Sequence, residues 1–512
     1  MNKINSALLA LALISMLCGT ASAVYEWEQV NEEGFGDLTN DYAWAMHEYN
    51  NYLYVGTLNT NFSHPPSALN DGLEIWRSPS GDPGTWEQVL GPSGTQLLAH
   101  PITGDILPAR AGFYTGCLGA RGMEVYKNLL WVGTSNPFFG CQIWVTNGTH
   151  WKRANNPGFG GYLNWNANNT ATRGIIAFNG TIYAEAQNTK EGAGVWKYTG
   201  PTDFDSIGTL VNQSKWVPVN MPGFGEPATN VGIGELIRFD PLTDGENIEY
   251  LYAGTWNISD TQLAQMLLGD VSYLVGCQVW RTNGTVDPSE SPRLIWEKVM
   301  DGGFGDPQNG GITSSTVFDN ALYMGTGNLA DQAEVWRTTD GIDWEPVTTT
   351  GFLESGGFGT VYMWRMVVYK DRLVVGTFNP TLGGQVWGST SGHPHTFEQV
   401  NVNGMNGERK LPAFNFGGFT IYGIDQYGIR SFAVFNDSLY LGTASWGDWV
   451  DRYAGTNYSK YVGCEVWRCK DTQVVYTVEP TPVPALTPIG MLALIGAVGL
   501  ILILGTIRRR ED

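Results

Sequence analysis

A seven-bladed β-propeller, all-β and closed by its own N-terminal strand, is the fold that three recurring features of the sequence predict. The first is an apolar strand ending in Gly-Thr: YLYVGT (52–57), LLWVGT (129–134), YLYAGT (250–255), ALYMGT (321–326), RLVVGT (372–377) and SLYLGT (438–443), with a degenerate copy, TIYAEA, at 181–186. The second follows each of these as Val or Ile and then Trp76, Trp144, Trp196, Trp280, Trp336, Trp387 or Trp467. The third is a shorter strand led by Trp86, Trp151, Trp216, Trp296, Trp344 or Phe397. Each copy also opens on an apolar run ending in an aromatic residue and usually Asn or Asp, such as SFAVFND (431–437). Short strands rich in Val, Tyr and Trp between Gly, Asn and Asp turns indicate all-β structure. Four-stranded units repeated this often indicate radial sheets around a channel.

The last copy lacks its own outer strand, and the mature chain opens with the missing piece. YEWEQVNEEGFGD (25–37) matches WEKVMDGGFGD (296–306) and WKRANNPGFGG (151–161), but no apolar VW segment precedes it. Trp27 therefore completes the seventh blade, which spares a ring its aggregation-prone open edge. A rival closer is QVVYTV (473–478).

The ends of the chain predict export and anchoring. Residues 1–23 carry Lys3, an apolar run and Ala21-Ser22-Ala23, the layout of a secretory signal. Residues 24–477 then form the propeller ectodomain, and 478–488 a Pro-rich stalk that neither pairs as a strand nor continues a helix. Residues 489–507 are apolar and uncharged, enough to cross a hydrocarbon core of about 30 Å or to serve as a sorting segment. The basic tail 508–512, with Arg508-Arg509-Arg510, belongs on the cytoplasmic side.

Composition narrows the partners. With 49 acidic against 29 basic residues, the net charge of −20 disfavours nucleic acid. Nine N-x-S/T sequons, at Asn61, Asn147, Asn168, Asn179, Asn212, Asn257, Asn283, Asn436 and Asn457, suit a glycosylated exported surface. The six histidines have no metal-ligand spacing, no nucleophile elbow occurs, and no metal or cofactor is expected. Of the five mature cysteines, Cys117 and Cys141 are placed to form a disulfide. Cys464 and Cys469 share one extended strand and cannot join.

Aligning the copies on the aromatic residue that ends each first strand isolates one position, five residues earlier. It reads Trp44, Arg121, Arg173, Gly234, Thr313, Trp364 and Arg430. First strands line a propeller's channel, so Arg121, Arg173 and Arg430 converge near its mouth and suit a carboxylate or sulfate. The alternative is that they neutralise neighbouring acids such as Glu235 or Asp425. A loop at 445–461 adds Trp446, Trp449 and Tyr453 as aromatic platforms for a sugar or protein partner.

The hairpin VWRTTDGIDWEPV (335–347) resembles the Asp-box of sialidase-like propellers, one residue short of the usual spacing. The whole ectodomain more closely resembles archaeal and bacterial surface propellers with repeated LYVGT…EVWR…W units and a C-terminal sorting or anchoring tail. These resemblances imply architecture and cell-surface location, not an activity. The function expected is a surface-anchored, non-catalytic binding or cell-envelope module for a glycan or protein. The alternative is an extracellular glycan-processing hydrolase of sialidase-like type.

Overall fold

The computed structural model describes residues 25–59, 72–101, 103–160, 168–208, 215–241, 248–257, 274–328, 332–352, 359–407, 414–416, 419–421, 424–446 and 462–471. Residues from Tyr25 to Asp471 form one compact unit. The signal, stalk, apolar segment and basic tail lie outside the described residues. No helix among the described residues is long and apolar enough to cross a membrane. The unit is all-β and propeller-like, and among the described residues its only helical segments are single 3₁₀ turns.

Local sequence explains the strands. Six of the seven first strands meet their second through a two-residue turn of positive φ, such as Asn50-Asn51, Lys127-Asn128, Asp319-Asn320 and Asn436-Asp437. These are the turns whose twist suits an antiparallel hairpin, and Asn and Asp tolerate them best. A third and a fourth strand then add antiparallel. In one run Gly119–Tyr126, Leu129–Ser135, Ile143–Thr146 and His150–Arg153 pair in order. Comparable runs open with Asn40–Tyr49, Ile175–Phe178, Gly232–Phe239, Asn309–Phe318, Tyr362–Tyr369 and Gln426–Phe435. In the last, Ser438–Ser445 pairs with Val466–Asp471, whose other edge takes Tyr25–Gln29 with Trp27 opposite Cys469.

Gly-Phe segments, GFG in four copies and GFY at 112–114, hold successive runs together. Phe35, Phe113, Phe159, Phe224 and Phe304 all sit at φ between 55° and 62°, a left-handed backbone that turns the ring out of its own run. Phe113 lands on the next run's Trp144 at 4.1 Å, stacked, and meets Trp151 edge-on. Phe35, Phe159, Phe224 and Phe304 repeat this against Trp76, Trp196, Trp280 and Trp336. Offset stacks and edge contacts of this kind add about 0.5–1.5 kcal/mol each beyond area burial. Outer-strand indoles lock the same seams. Trp86 Nε1 donates to Val30 O, Trp296 Nε1 to Val219 O, and Trp27 Nε1 to Val400 O (2.8 Å).

Two expectations are corrected. Cys117 and Cys141 are separate buried thiols rather than a disulfide. The Cys117 thiol donates to Thr134 Oγ1 (3.3 Å) and Cys141 faces Thr172, so each sulfur turns toward a different threonine. Burial drives both thiols up, Cys141 to about 12, which leaves them unreactive. Asn257 is 3% exposed and its Nδ2 donates to Gly276 O, so that sequon cannot accept a glycan in the folded chain. Asn147, Asn179, Asn283 and Asn436 are exposed and Asn168 is half-buried. Asn61, Asn212 and Asn457 lie outside the described residues.

Candidate ligand-binding cavity

Every member of the aligned position lines one cavity of about 270 Å³. For six of the seven the cause is a β-bulge repeated from run to run, while Arg173 lies just before its strand. Register slips between Ala43 and Ala45, Ala120 and Gly122, Ile233 and Glu235, Ile312 and Ser314, Met363 and Arg365, and Ile429 and Ser431. The residue passed over is Trp44, Arg121, Gly234, Thr313, Trp364 or Arg430. A bulge leaves one residue unpaired and re-aims its side chain. In each case it stands opposite the Gly-Thr that ends the second strand, as Ala120 pairs with Thr134 and Gly122 with Gly133. A Cβ on Gly133 would come within 2.8 Å of the next run's Thr172, and one on Gly254 within 2.5 Å of Ile312. The Gly-Thr landmark is thus where neighbouring runs press closest.

The arginines are not equivalent. Arg173 is anchored: its Nη2 donates to Thr313 O and lies 3.6 Å from Glu235 Oε1. Glu235 also takes Arg365 Nη1 at 2.5 Å. Burial first, then the Arg365 charge, pulls the Arg173 guanidinium down to about 9. Arg121 Nη1 donates to Gln187 Oε1 (3.0 Å), and its guanidinium lies 5.1 Å from the Trp44 ring. Arg430 is 2% exposed, and its Nε and Nη1 have no hydrogen-bond partner. It rests instead 5.4 Å from the Trp44 ring and 4.9 Å from Trp364. Burial and the charges of Arg173 and Arg365 push it well below the ordinary arginine range. The neutralising alternative therefore describes Arg173, and it does not describe Arg430.

Aromatic side chains form the walls. Tyr42 meets Trp44 and Trp364 edge-on, and its hydroxyl bonds that of Tyr427. Tyr362 packs on Trp256, Trp364 and Phe378. Trp446 is not the exposed platform expected. It is 4% exposed and lies 4.2 Å from Tyr427, its ring closing one side of the cavity. Trp449 and Tyr453 fall outside the described residues.

The sequence reading missed Glu185. It occupies the place that glycine holds in the other copies of the second strand, and this departure was the available signal. Its carboxyl is 1% exposed. Oε1 accepts the backbone N–H groups of Arg173 and Gly174, while buried Oε2 has no partner. Burial raises it to about 7, against the pull of the Arg173 N–H and the Arg121 charge. Elsewhere, carboxylates of Glu33, Asp425 and Glu465 bring ligand atoms within 4.8 Å of one another, but they also bond Gly463 N, Gln426 N and Trp467 Nε1.

No family model and no curated protein matches the chain. Among solved structures it is similar to a Mycobacterium tuberculosis puromycin-hydrolyzing peptidase, at 10% identity and TM-score 0.39, covering 88% of this chain and 55% of that one. A prolyl endopeptidase gives 10% identity and TM-score 0.39, with 81% and 48% covered. An α-L-arabinofuranosidase from Clostridium thermocellum gives 12% and 0.29, with 58% and 89% covered. The chain spans about half the length of the first two.

Proposed function

We propose that residues 24–477 form a closed seven-bladed propeller, displayed at the cell surface, that binds an anionic ligand in its central cavity without chemical turnover. Closure is supported by Tyr25–Gln29 on Val466–Asp471, by the bridge between Tyr42 and Ala444, and by Ser431 Oγ donating to Ala43 O at 2.6 Å. The signal-like N-terminus and the apolar C-terminal segment support display at the surface; a glycan or protein surface bearing carboxylates fits as its source.

The observation that carries the binding reading is Arg430. A buried cation without a carboxylate partner costs several kcal/mol, and a fold keeps such a group where a ligand completes it. Arg121, beside the same Trp44 ring, supplies a second fork. One observation favours the hydrolase reading: Glu185, a carboxyl protonated near neutrality, has the character of a general acid. A second carboxylate or tyrosine at nucleophile distance is not assigned, so binding is the better reading. The test is titration of the full-length protein with acidic and neutral glycans and simple carboxylates, with product analysis. Saturable, charge-dependent binding without turnover is expected. Released sugar would favour the hydrolase, and preference for neutral ligands would overturn the anion reading.

A further inference from the structure

We propose that the ligand of the central cavity is a small monocarboxylate with a flat, aromatic body. Its carboxylate would sit on Arg430 and Arg121 with Glu185 beside it, and its ring among Trp44, Trp364 and Phe378. The proposal rests on the anion-binding reading above and deepens it to a chemical class.

Size comes first. About 270 Å³ is just below the usual range for small-molecule sites, room for one ring with its substituents rather than a glycan chain. Polarity comes next. A buried sugar brings several hydroxyls, each needing a partner. Three of the cavity's four side-chain hydroxyls are engaged: Tyr42 and Tyr427 bond each other, and Thr313 Oγ1 donates to Met363 O at 2.6 Å, which leaves that of Tyr362. Gln187 Oε1 holds Arg121. What remains is mostly aromatic surface, which receives a flat ring edge-on or offset. At the floor, the partnerless nitrogens of Arg430 and the partnerless Oε2 of Glu185 are a donor set and an acid–base group. Together they match one carboxylate: a guanidinium for its charge, and a carboxylic acid O–H for a lone pair.

This arrangement couples binding to a proton. Glu185 is faced by Arg121 and Arg173, with Cys141 nearby and Arg365, Arg430 and Glu235 in the adjoining layer. The free carboxyl titrates near 7. A ligand carboxylate placed beside it favours the protonated form, so the bound value lies higher. Affinity is then constant below about pH 7 and falls up to tenfold per pH unit above it. The cavity tyrosines Tyr42, Tyr362 and Tyr427 are displaced far upward, and Arg173 ionises near 9, so neither sets this profile.

Calorimetric titration of the full-length protein with benzoate, benzamide and glucuronate between pH 6 and 8.5 tests the proposal. Expected are benzoate binding at least tenfold tighter than glucuronate, no detectable benzamide binding, proton uptake with benzoate, and a flat pH profile in Glu185→Gln. Glucuronate binding as tightly as benzoate overturns the ligand class while leaving the anion reading in place. Benzoate bound with a flat profile in the wild-type protein overturns the role of Glu185. Failure of both anions to bind overturns the anion reading and this proposal with it.

Discussion

Replacing Arg430 by methionine separates a residue kept for binding from one kept for stability. Met retains most of the apolar stem and can place sulfur against the Trp44 and Trp364 rings. It removes a guanidinium that is 2% exposed and has no carboxylate partner. Two desolvated cation–π contacts, at 4.9 and 5.4 Å, are lost at about 1–2 kcal/mol each. Sulfur–aromatic contacts return about 1 kcal/mol of this. Relief from holding a desolvated cation beside Arg173 and Arg365 returns several kcal/mol more. The balance is a variant about 1–2 kcal/mol more stable than the wild type. Chemical denaturation followed by tryptophan fluorescence reads this as a higher midpoint with an unchanged slope. Carboxylate binding in the same variant should fall at least a hundredfold. Destabilisation by more than about 2 kcal/mol would refute the reasoning, because it would mean that Arg430 has a structural partner.

Three further outcomes are expected. Removing residues 24–31 strips the strand from Val466–Asp471 and the indole bond to Val400, so the protein should melt lower and aggregate through the bared edge; an unchanged melting temperature would contradict the pairing. Phe113→Ala, at a fully buried ring stacked on Trp144, should cost about 3–5 kcal/mol in denaturation, and a loss under about 1 kcal/mol would mean this ring does not hold the seam. Glu185 ionises near 7 when folded against 4.5 for a free side chain, so the native state keeps a proton that the unfolded chain has lost between those values. Stability should therefore fall as pH rises from about 4.5 to 7 and level off above, by up to about 3 kcal/mol, and Glu185→Gln should abolish that fall.

Most of the cavity was legible because the repeat fixes register. Counting back from the aromatic end of each first strand reaches the same bulge in six copies and the matching position, Arg173, in the other, so Trp44, Arg121, Arg173, Trp364 and Arg430 were found together. What escaped depended on interactions between copies. Glu185 is conspicuous only once the glycine it replaces is seen as the point of closest approach between runs. Trp446 reads as a loop platform in sequence, but Tyr427 takes it into the wall. Asn257 sits in a formally correct sequon whose side chain is already committed to Gly276. Cys117 and Cys141 are near in sequence order of blades, yet their rotamers point to Thr134 and Thr172. An added hairpin, Leu97–Ala99 with Ile106–Pro108, lays a parallel strand on His150–Arg153, a pairing no repeat landmark announces.

The central claim is that the convergent arginines hold an anion inside the cavity. Crystals of the protein grown with 4-bromobenzoate and measured at the bromine absorption edge test this most directly. One dominant anomalous peak is expected among the aromatic walls, with the carboxylate density on Arg430 and Arg121. Bromine found only on the outer surface, with Arg430 turned to a protein partner inside the cavity, would contradict it.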